Sequence, residues 1–434
     1  MRERGLIPAV RIDGGIMKEF CRGKHLWLWL KHARRRAAPT TWAGILLGIW
    51  CGITASLAFA LPEAKTIRIG EINPLTGKLA VHGQEIHQGI LYAVEEINAG
   101  DGLQGRQVEL ISRDDQSRPD VAINQAQELI LREKVSGLVG GYVDSQVGPI
   151  SEVALHHQVP YVASASLQEA LTRERKNPFF FRVARLDGIV TPLCQFIKEV
   201  LKPRQAAIIH AATPGSTEFA GDLKGCLEAA GVTIPIVEKF RPGSPDFSAL
   251  LLKLRVAKVD VLISGGFYPD HLVLLRQIHE QHIPLKAYIG PWGVAYDGLI
   301  RELGNLSENV FGACAWNPGI TLPGTEQASS AFVEGFQKRF GHPPNTTSMH
   351  GYCSGKALLT AMQGALQHSG ELSGGAVRDQ LAQLDLNLPM ERLQFDPHGD
   401  PRYYRQVVVQ IQHGRMVAVY PPERATGQMV LPPR

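Results

Sequence analysis

Cysteine is scarce: six residues in 434, with no C-x-x-C pair, so a zinc ribbon or a dithiol redox centre has no sequence support. No G-x-G-x-x-G follows a strand-like run, which leaves dinucleotide binding with little support. HEQH (His279–His282) lacks the i, i+4 histidines of a zinc helix. GYCSGK (Gly351–Lys356) lacks the spacing and the Ser/Thr of a phosphate loop. Its G-x-C-x-G form would suit a nucleophile elbow, but an elbow needs a strand before it. Here MHGYCSGKALLTAMQGAL reads as a helix, with Cys353 packed in the core. No catalytic constellation survives, and nothing in the pattern calls for a cofactor or a metal. Pro and Gly are spread along the chain, so no linker or low-complexity tract is visible.

Positive charge is also scarce once its location is considered. Residues 1–60 hold 10 of the 45 Lys/Arg and 3 of the 41 Asp/Glu, leaving 35 basic against 38 acidic residues. A near-neutral body gives no electrostatic case for nucleic-acid binding. The basic run KHARRRAAP precedes the uncharged stretch WAGILLGIWCGITASLAFA (Trp42–Ala60), which ends in Ala58-Phe59-Ala60. Basic region, apolar region and small-residue exit predict an export signal over 1–60, cleaved after Ala60. The apolar run is also long enough to cross a bilayer if left uncleaved. Trp50 argues against a lipoprotein site at Cys51, and Met17 offers an alternative start. Cys194, Cys226, Cys314 and Cys353 remain beyond the leader; they allow three pairings, and buried free thiols are an equal alternative.

What is present is a rhythm. TIRIGEI (Thr66–Ile72) reads as a strand, followed by a helix with Ile86, Ile90, Val94 and Ile97 on one face and Gly100 at its end. Strand QVELISRDD, helix Pro119–Lys134, strand SGLVGG, helix Gly148–His157 and strand VPYVASA continue the alternation. It restarts after FFFRVARLDGIVT (Phe179–Thr191), with QAAIIHA, IPIVEKF, VDVLISGG and KAYIGP as strands between helical stripes. Alternating units of this kind predict an α/β fold with two doubly wound, Rossmann-like halves of about five strands each. Such sheets bind ligands beyond the carboxyl ends of their strands, so two facing halves would enclose a cleft.

In order and spacing, INPLTGKLAVHGQEIHQGILYAVEEINA, LISRDDQSRPDVAINQAQELI, RPGSPDFSALLLKLR, GGFYPDHLVLLRQ, IGPWGV and LQFDPHGDPR carry a resemblance over Thr66–Tyr420. The chain resembles the periplasmic solute-binding proteins of the leucine/isoleucine/valine and amide class that serve ABC importers, a type I periplasmic binding protein fold. The resemblance implies two lobes joined by a three-stranded hinge: 65–187 plus 317–395, and 188–316 plus 396–422, with a tail at 423–434. It also implies an ABC permease with its ATPase as partner, a periplasmic location, and contact with the membrane only through the permease or an uncleaved leader.

The same resemblance nominates pocket positions, and there the residues depart from the family pattern. Where amino-acid binders place a Ser for the ligand carboxylate, this chain has Asp144, with Ser145 next. The small residue and Thr of the following strand end are matched by Ala165 and Leu167, with Ser166 between them. A Tyr of the second lobe is matched by Gly215, which suggests room for a bulkier ligand. Another Tyr becomes Phe267, and the acid that pairs with the ligand's ammonium becomes Trp292. Phe267 and Trp292 are expected to face each other across the cleft, around a flat or apolar group or a cation. Asp144 would either contact the ligand or cap the helix that begins nearby.

The function expected is therefore capture of a small organic molecule (amino acid-like, amide, aromatic or cationic) and delivery to an importer, without catalysis. A ligand sensor of the same fold is the alternative. Neighbouring permease and ATPase genes would favour the first, a neighbouring kinase or regulator the second.

Overall fold

A computed structural model describes residues 66–173 and 176–431. The predicted export signal, its cleavage site after Ala60, Cys21 and Cys51 lie outside these residues. Among the described residues, no helix is long and apolar enough to cross a membrane.

The first half is a five-stranded sheet: β1 (Ile67–Asn73), β2 (Val108–Asp114), β3 (Leu138–Gly140), β4 (Tyr161–Ala163) and β5 (Phe180–Arg182). Their order is β2-β1-β3-β4-β5, and every pair is parallel, as the alternation of strands and helices requires. Helices Ala80–Ala99, Pro119–Leu131 and Asp144–His156 make the crossovers. The second half holds β6 (Gln205–Ala211), β7 (Thr233–Phe240), β8 (Val261–Gly265), β9 (Ala287–Gly290) and β10 (Phe311–Cys314), again parallel. A two-stranded ribbon of β11 (Leu386–Asn387) and β12 (Arg392–Leu393) precedes the hairpin β13 (Val407–Gln412) and β14 (Arg415–Tyr420). This hairpin extends the second sheet to seven strands, in the order β14-β13-β10-β9-β8-β6-β7. The segment after it is not loose: Val430 N–H donates to Gln410 Oε1 at 2.9 Å, and Gln412 Nε2 donates to Gln428 O at 2.7 Å.

The chain passes between the sheets after β5, after β10 and again between β12 and β13. After the second passage it builds helix Thr346–Ser369, capped by Asn345, whose side chain accepts from the N–H groups of Thr347 and Ser348. That helix lies against helix Ala80–Ala99 at points where neither backbone carries a side chain. A Cβ on Gly89 would lie 1.9 Å from Ser348 O, and one on Gly351 would lie 2.2 Å from Ile86 O. Cys353 sits inside this helix and is fully buried, which pushes its thiol well above the usual range. That is the environment of a packing residue, unlike an exposed elbow nucleophile. Cys314 is likewise buried and free. Cys194 and Cys226 form a disulfide, joining helix Asp187–Phe196 to helix Pro214–Ala229. Closing a loop of that size contributes about 3–4 kcal/mol in the chain-entropy picture.

Candidate functional site

A cavity of about 630 Å³, counting its open mouth, lies where the strand ends of both sheets meet. Its first wall is built by residues just past β3 and β4, its second by residues past β6, β8 and β9. The floor comes from Thr346, Thr347 and His350 of the capped helix and from Tyr404 and Gln406 ahead of β13.

The first wall begins with a turn that only glycine makes easily. Gly140 and Gly141 have φ of 104° and 90°, and a Cβ on Gly141 would lie 2.4 Å from Tyr161 Oη. The chain then enters a helix at Asp144, four residues earlier than the apolar pattern predicts. Val143 takes the N-cap position, so Asp144 is not a cap. Instead its Oδ1 accepts three hydrogen bonds: Ser166 Oγ at 2.7 Å, Leu167 N–H at 2.9 Å and Gln168 N–H at 2.9 Å. The carbonyls of the same segment are held from the other side. Arg182, fully buried, donates to Gln168 O at 2.9 Å and Ser166 O at 3.3 Å, and pairs with the buried Asp400 at 2.6 Å. The loop after β4 is thus gripped through its donors by Asp144 and through its acceptors by Arg182.

The second wall is apolar. Phe267 and Trp292 follow the adjacent parallel strands β8 and β9, so they stand side by side on one wall. The expected arrangement, facing each other across the cleft, is corrected by this strand pairing. Trp292 packs edge-on against Phe219, with ring centroids 4.9 Å apart. Its backbone carbonyl accepts from His271 Nε2 at 2.8 Å, while His271 Nδ1 takes the Tyr288 hydroxyl at 2.6 Å. Burial lowers His271 to about 4, so it serves as a neutral strut. The ring that opposes Phe267 from the first wall is Tyr142, at 5.8 Å.

His82, fully buried, joins the two walls. It stacks on Tyr142 at 4.3 Å and accepts the Tyr268 N–H at Nε2, which leaves its proton on Nδ1 for Tyr296 Oη at 2.6 Å. Tyr296 in turn hydrogen-bonds Thr347. Burial, with His271 nearby, lowers His82 to about 3. The walls also meet where Glu169 N–H donates to Glu218 Oε2 at 2.8 Å and where Lys78 Nζ donates to Pro242 O at 3.1 Å.

Of the sequence-predicted residues, Asp144, Ala165, Leu167, Phe267 and Trp292 line the cavity. Ser166 serves Asp144 rather than the cavity, and Ser145 donates to Gln146 Oε1 at 2.6 Å, away from the lining. Gly215 is not an opening. A Cβ there would lie 2.2 Å from Asp144 Oδ2 and 3.2 Å from Leu167 Cβ, so the first wall already fills the space left by the missing side chain. Tyr142, Thr213, Ser216, Thr346, His350, Tyr404 and Gln406 also line the cavity and were not anticipated. Tyr142 could have been found from its place beside the Gly pair. Tyr404 and Gln406 have no local signal, being more than 200 residues from Asp144 in the chain.

Among the described residues, no Lys or Arg lines the cavity, and burial lowers His350 to about 4, so it is neutral. The Tyr404 hydroxyl hydrogen-bonds His350 Nε2 at 3.2 Å and accepts from Gln406 Nε2 at 2.7 Å. Asp144 is the one acid of the lining.

A sequence model of periplasmic binding proteins matches residues 66–412. The Leu/Ile/Val-binding protein homolog 7 of Brucella suis is 28% identical over 401 residues, covering 88% of this chain and 98% of that protein. Two crystal structures share the fold. One is the branched-chain amino acid transporter substrate-binding protein LivJ of Streptococcus pneumoniae with isoleucine (TM-score 0.73, 21% identity, 85% of this chain and 100% of that one). The other is an ABC transporter solute-binding protein of R. palustris with benzoate (TM-score 0.74, 17% identity, 84% and 97%). With two sheets meeting over one cleft and a match that runs across both, the chain belongs to the periplasmic binding protein family.

Proposed function

We propose that this chain is an exported solute receptor of an ABC importer, which closes two lobes over one small organic molecule and presents it to a membrane permease with its ATPase. The observation that carries the reading is the cavity, lined from both sheets and from the passages between them. Lobe limits of 65–187 plus 317–395 and 188–316 plus 396–422 fit the three passages of the chain between the sheets. Closure by hinge motion is supported by the second-wall contacts of His82, because ligand contacts on both walls would stabilise the shut state. The isoleucine and benzoate held by the two structural relatives span a branched aliphatic and a planar aromatic solute, and the apolar second wall favours the latter kind.

The test is mass spectrometry of whatever copurifies with the mature protein, followed by a thermal-shift screen of amino acids, amides, aromatic acids and amines. A retained solute, or a stabilising one, supports the reading. A protein that retains nothing and is stabilised by no member of a broad solute panel would overturn it.

A further inference from the structure

Three residues of the cavity lining each carry a buried polar atom without a hydrogen-bond partner: Trp292 Nε1, Gln406 Oε1 and Thr346 Oγ1. The first can only donate, the second only accept, and the hydroxyl can do either. Buried polar groups are nearly always paired, and leaving one unpaired is destabilising, so each such atom calls for a partner. Turning the Gln406 amide over would only exchange one unpaired end for the other, because the Tyr404 hydroxyl, shared with His350, engages a single end; with Nε2 at that hydroxyl, Oε1 is the end left unpaired. Trp292 cannot swing freely, because Phe219 holds its ring and His271 holds its carbonyl.

The charges around these atoms are equally informative. Among the described lining residues an anionic ligand finds no Lys or Arg, a neutral His350, and the carboxylate of Asp144 beside it. Like charges in a low-dielectric cleft repel strongly. A cationic ligand finds Asp144 with Oδ1 already saturated by three donors and Oδ2 facing Gly215.

Resting on the receptor reading above, we infer that the ligand is an uncharged molecule with a flat apolar body. It presents one acceptor to the indole N–H of Trp292 and one donor to the carbonyl of Gln406. A carboxamide on an aromatic or unsaturated body supplies both without charge, whereas a free amino acid supplies them as an ammonium and a carboxylate, and an aromatic carboxylate has no donor. Thr346 Oγ1 is then the adjustable member of the set, able to follow whichever atom of the ligand approaches it. The flat body lies along Phe267 and Trp292, with Tyr142 opposite.

Three probes of nearly the same shape separate the possibilities: benzamide, benzoate and benzamidinium, each titrated at millimolar concentration by calorimetry and thermal shift. The inference expects benzamide to bind at least tenfold tighter than either charged probe. Tighter binding of benzoate or benzamidinium would overturn it while leaving the receptor reading intact, as would leucine binding in preference to all three. Absence of a shift with all three probes also counts against it, and the receptor reading then stands or falls on the wider solute screen. Trp292→Phe keeps the ring and removes the N–H. It is expected to weaken benzamide about tenfold, the order of one neutral hydrogen bond lost to a buried group. The melting temperature of the unligated variant should hold or rise, because an unpaired donor has gone. A purely structural Trp292 would give the reverse pattern, lower stability with unchanged affinity. Gln406→Leu serves as the second variant, and retained benzamide affinity there would also overturn the assignment.

Discussion

The two walls of the cleft solve opposite problems. The first is gripped by hydrogen bonds from both sides: Asp144 Oδ1 takes the donors of the loop after β4, Arg182 takes its carbonyls, and Asp400 anchors Arg182. The second wall is apolar, and together with the floor it holds polar atoms that the protein leaves unpaired. A saturated wall offers shape and little choice, while an unsaturated one discriminates, because a ligand that fails to pair its atoms leaves them desolvated. Selectivity in this protein should therefore reside in Trp292, Gln406 and Thr346 rather than in the charged residue that draws attention in the sequence.

Breaking the first wall should have the largest effect. Arg182→Ala removes the 2.6 Å partner of the buried Asp400, which keeps only Thr172 Oγ1 at 3.1 Å and Arg173 at 4.0 Å, and frees two carbonyls; a loss of about 3–5 kcal/mol is expected for removing one partner of a buried pair. Urea unfolding would measure it, and a cost under about 1 kcal/mol would mean that the loop is not held through Arg182. Next comes a test of what the second wall refuses. With Trp292 and Phe267 lining the second wall and Asp144 Oδ1 already engaged by three donors, leucine, isoleucine and valine should produce no thermal shift. Their carboxylate would meet no cation among the described lining residues, and their ammonium only the neutral Gln406 Oε1 and the Gly215-facing Oδ2 of Asp144, at a cost of several kcal/mol, roughly a hundredfold or more in affinity. Micromolar leucine binding would contradict this.

The joint between the walls titrates. Burial, with His271 nearby, lowers His82 to about 3 with the walls together, against 6.5 for an ordinary histidine, so an opening that exposes its ring is expected to take up a proton between those values. Closure is therefore fully supported above about pH 6.5 and is lost progressively as pH falls toward 3. Ligand affinity at about pH 5.5 should be roughly tenfold below that at about pH 7.5, since one pH unit of linked proton uptake is about 1.4 kcal/mol. His82→Asn should flatten that slope, and an equally steep slope in the variant would assign the titration elsewhere. The smallest effect belongs to Ser145→Ala. Its hydroxyl serves Gln146 outside the lining, so affinity should change by less than about twofold and stability by less than ~0.5 kcal/mol.

Much of the architecture was legible because buried parallel strands must be nearly continuous apolar runs. QAAIIHA is a strand over the same residues, Gln205–Ala211, and the runs in TIRIGEI and VDVLISGG shift by one or two positions. The helix begins at Asp144, four residues before the Gly148 that the pattern predicts, because SQVG (Ser145–Gly148) offers the single apolar residue Val147 and no stripe. Gly215 was misjudged for a different reason. A missing side chain reads as space, and whether the space is open depends on what the other wall brings to it. Phe267 and Trp292 were identified as lining residues but set on opposite sides, because strand adjacency is a property of the sheet and not of the local motif.

From its own amino acids the chain determined two wound halves and the strand ends that flank a cleft. These follow from local pattern, in which hydrophobic period and turn chemistry act over a few neighbours. Only the tertiary structure decided that Asp144 faces inward to a loop, that Cys194 pairs with Cys226, and that Tyr404 and Gln406 arrive beneath Thr346. Each of those depends on segments far apart in the chain meeting in one place, and the hydrogen bonds they form or leave unmade exist only there.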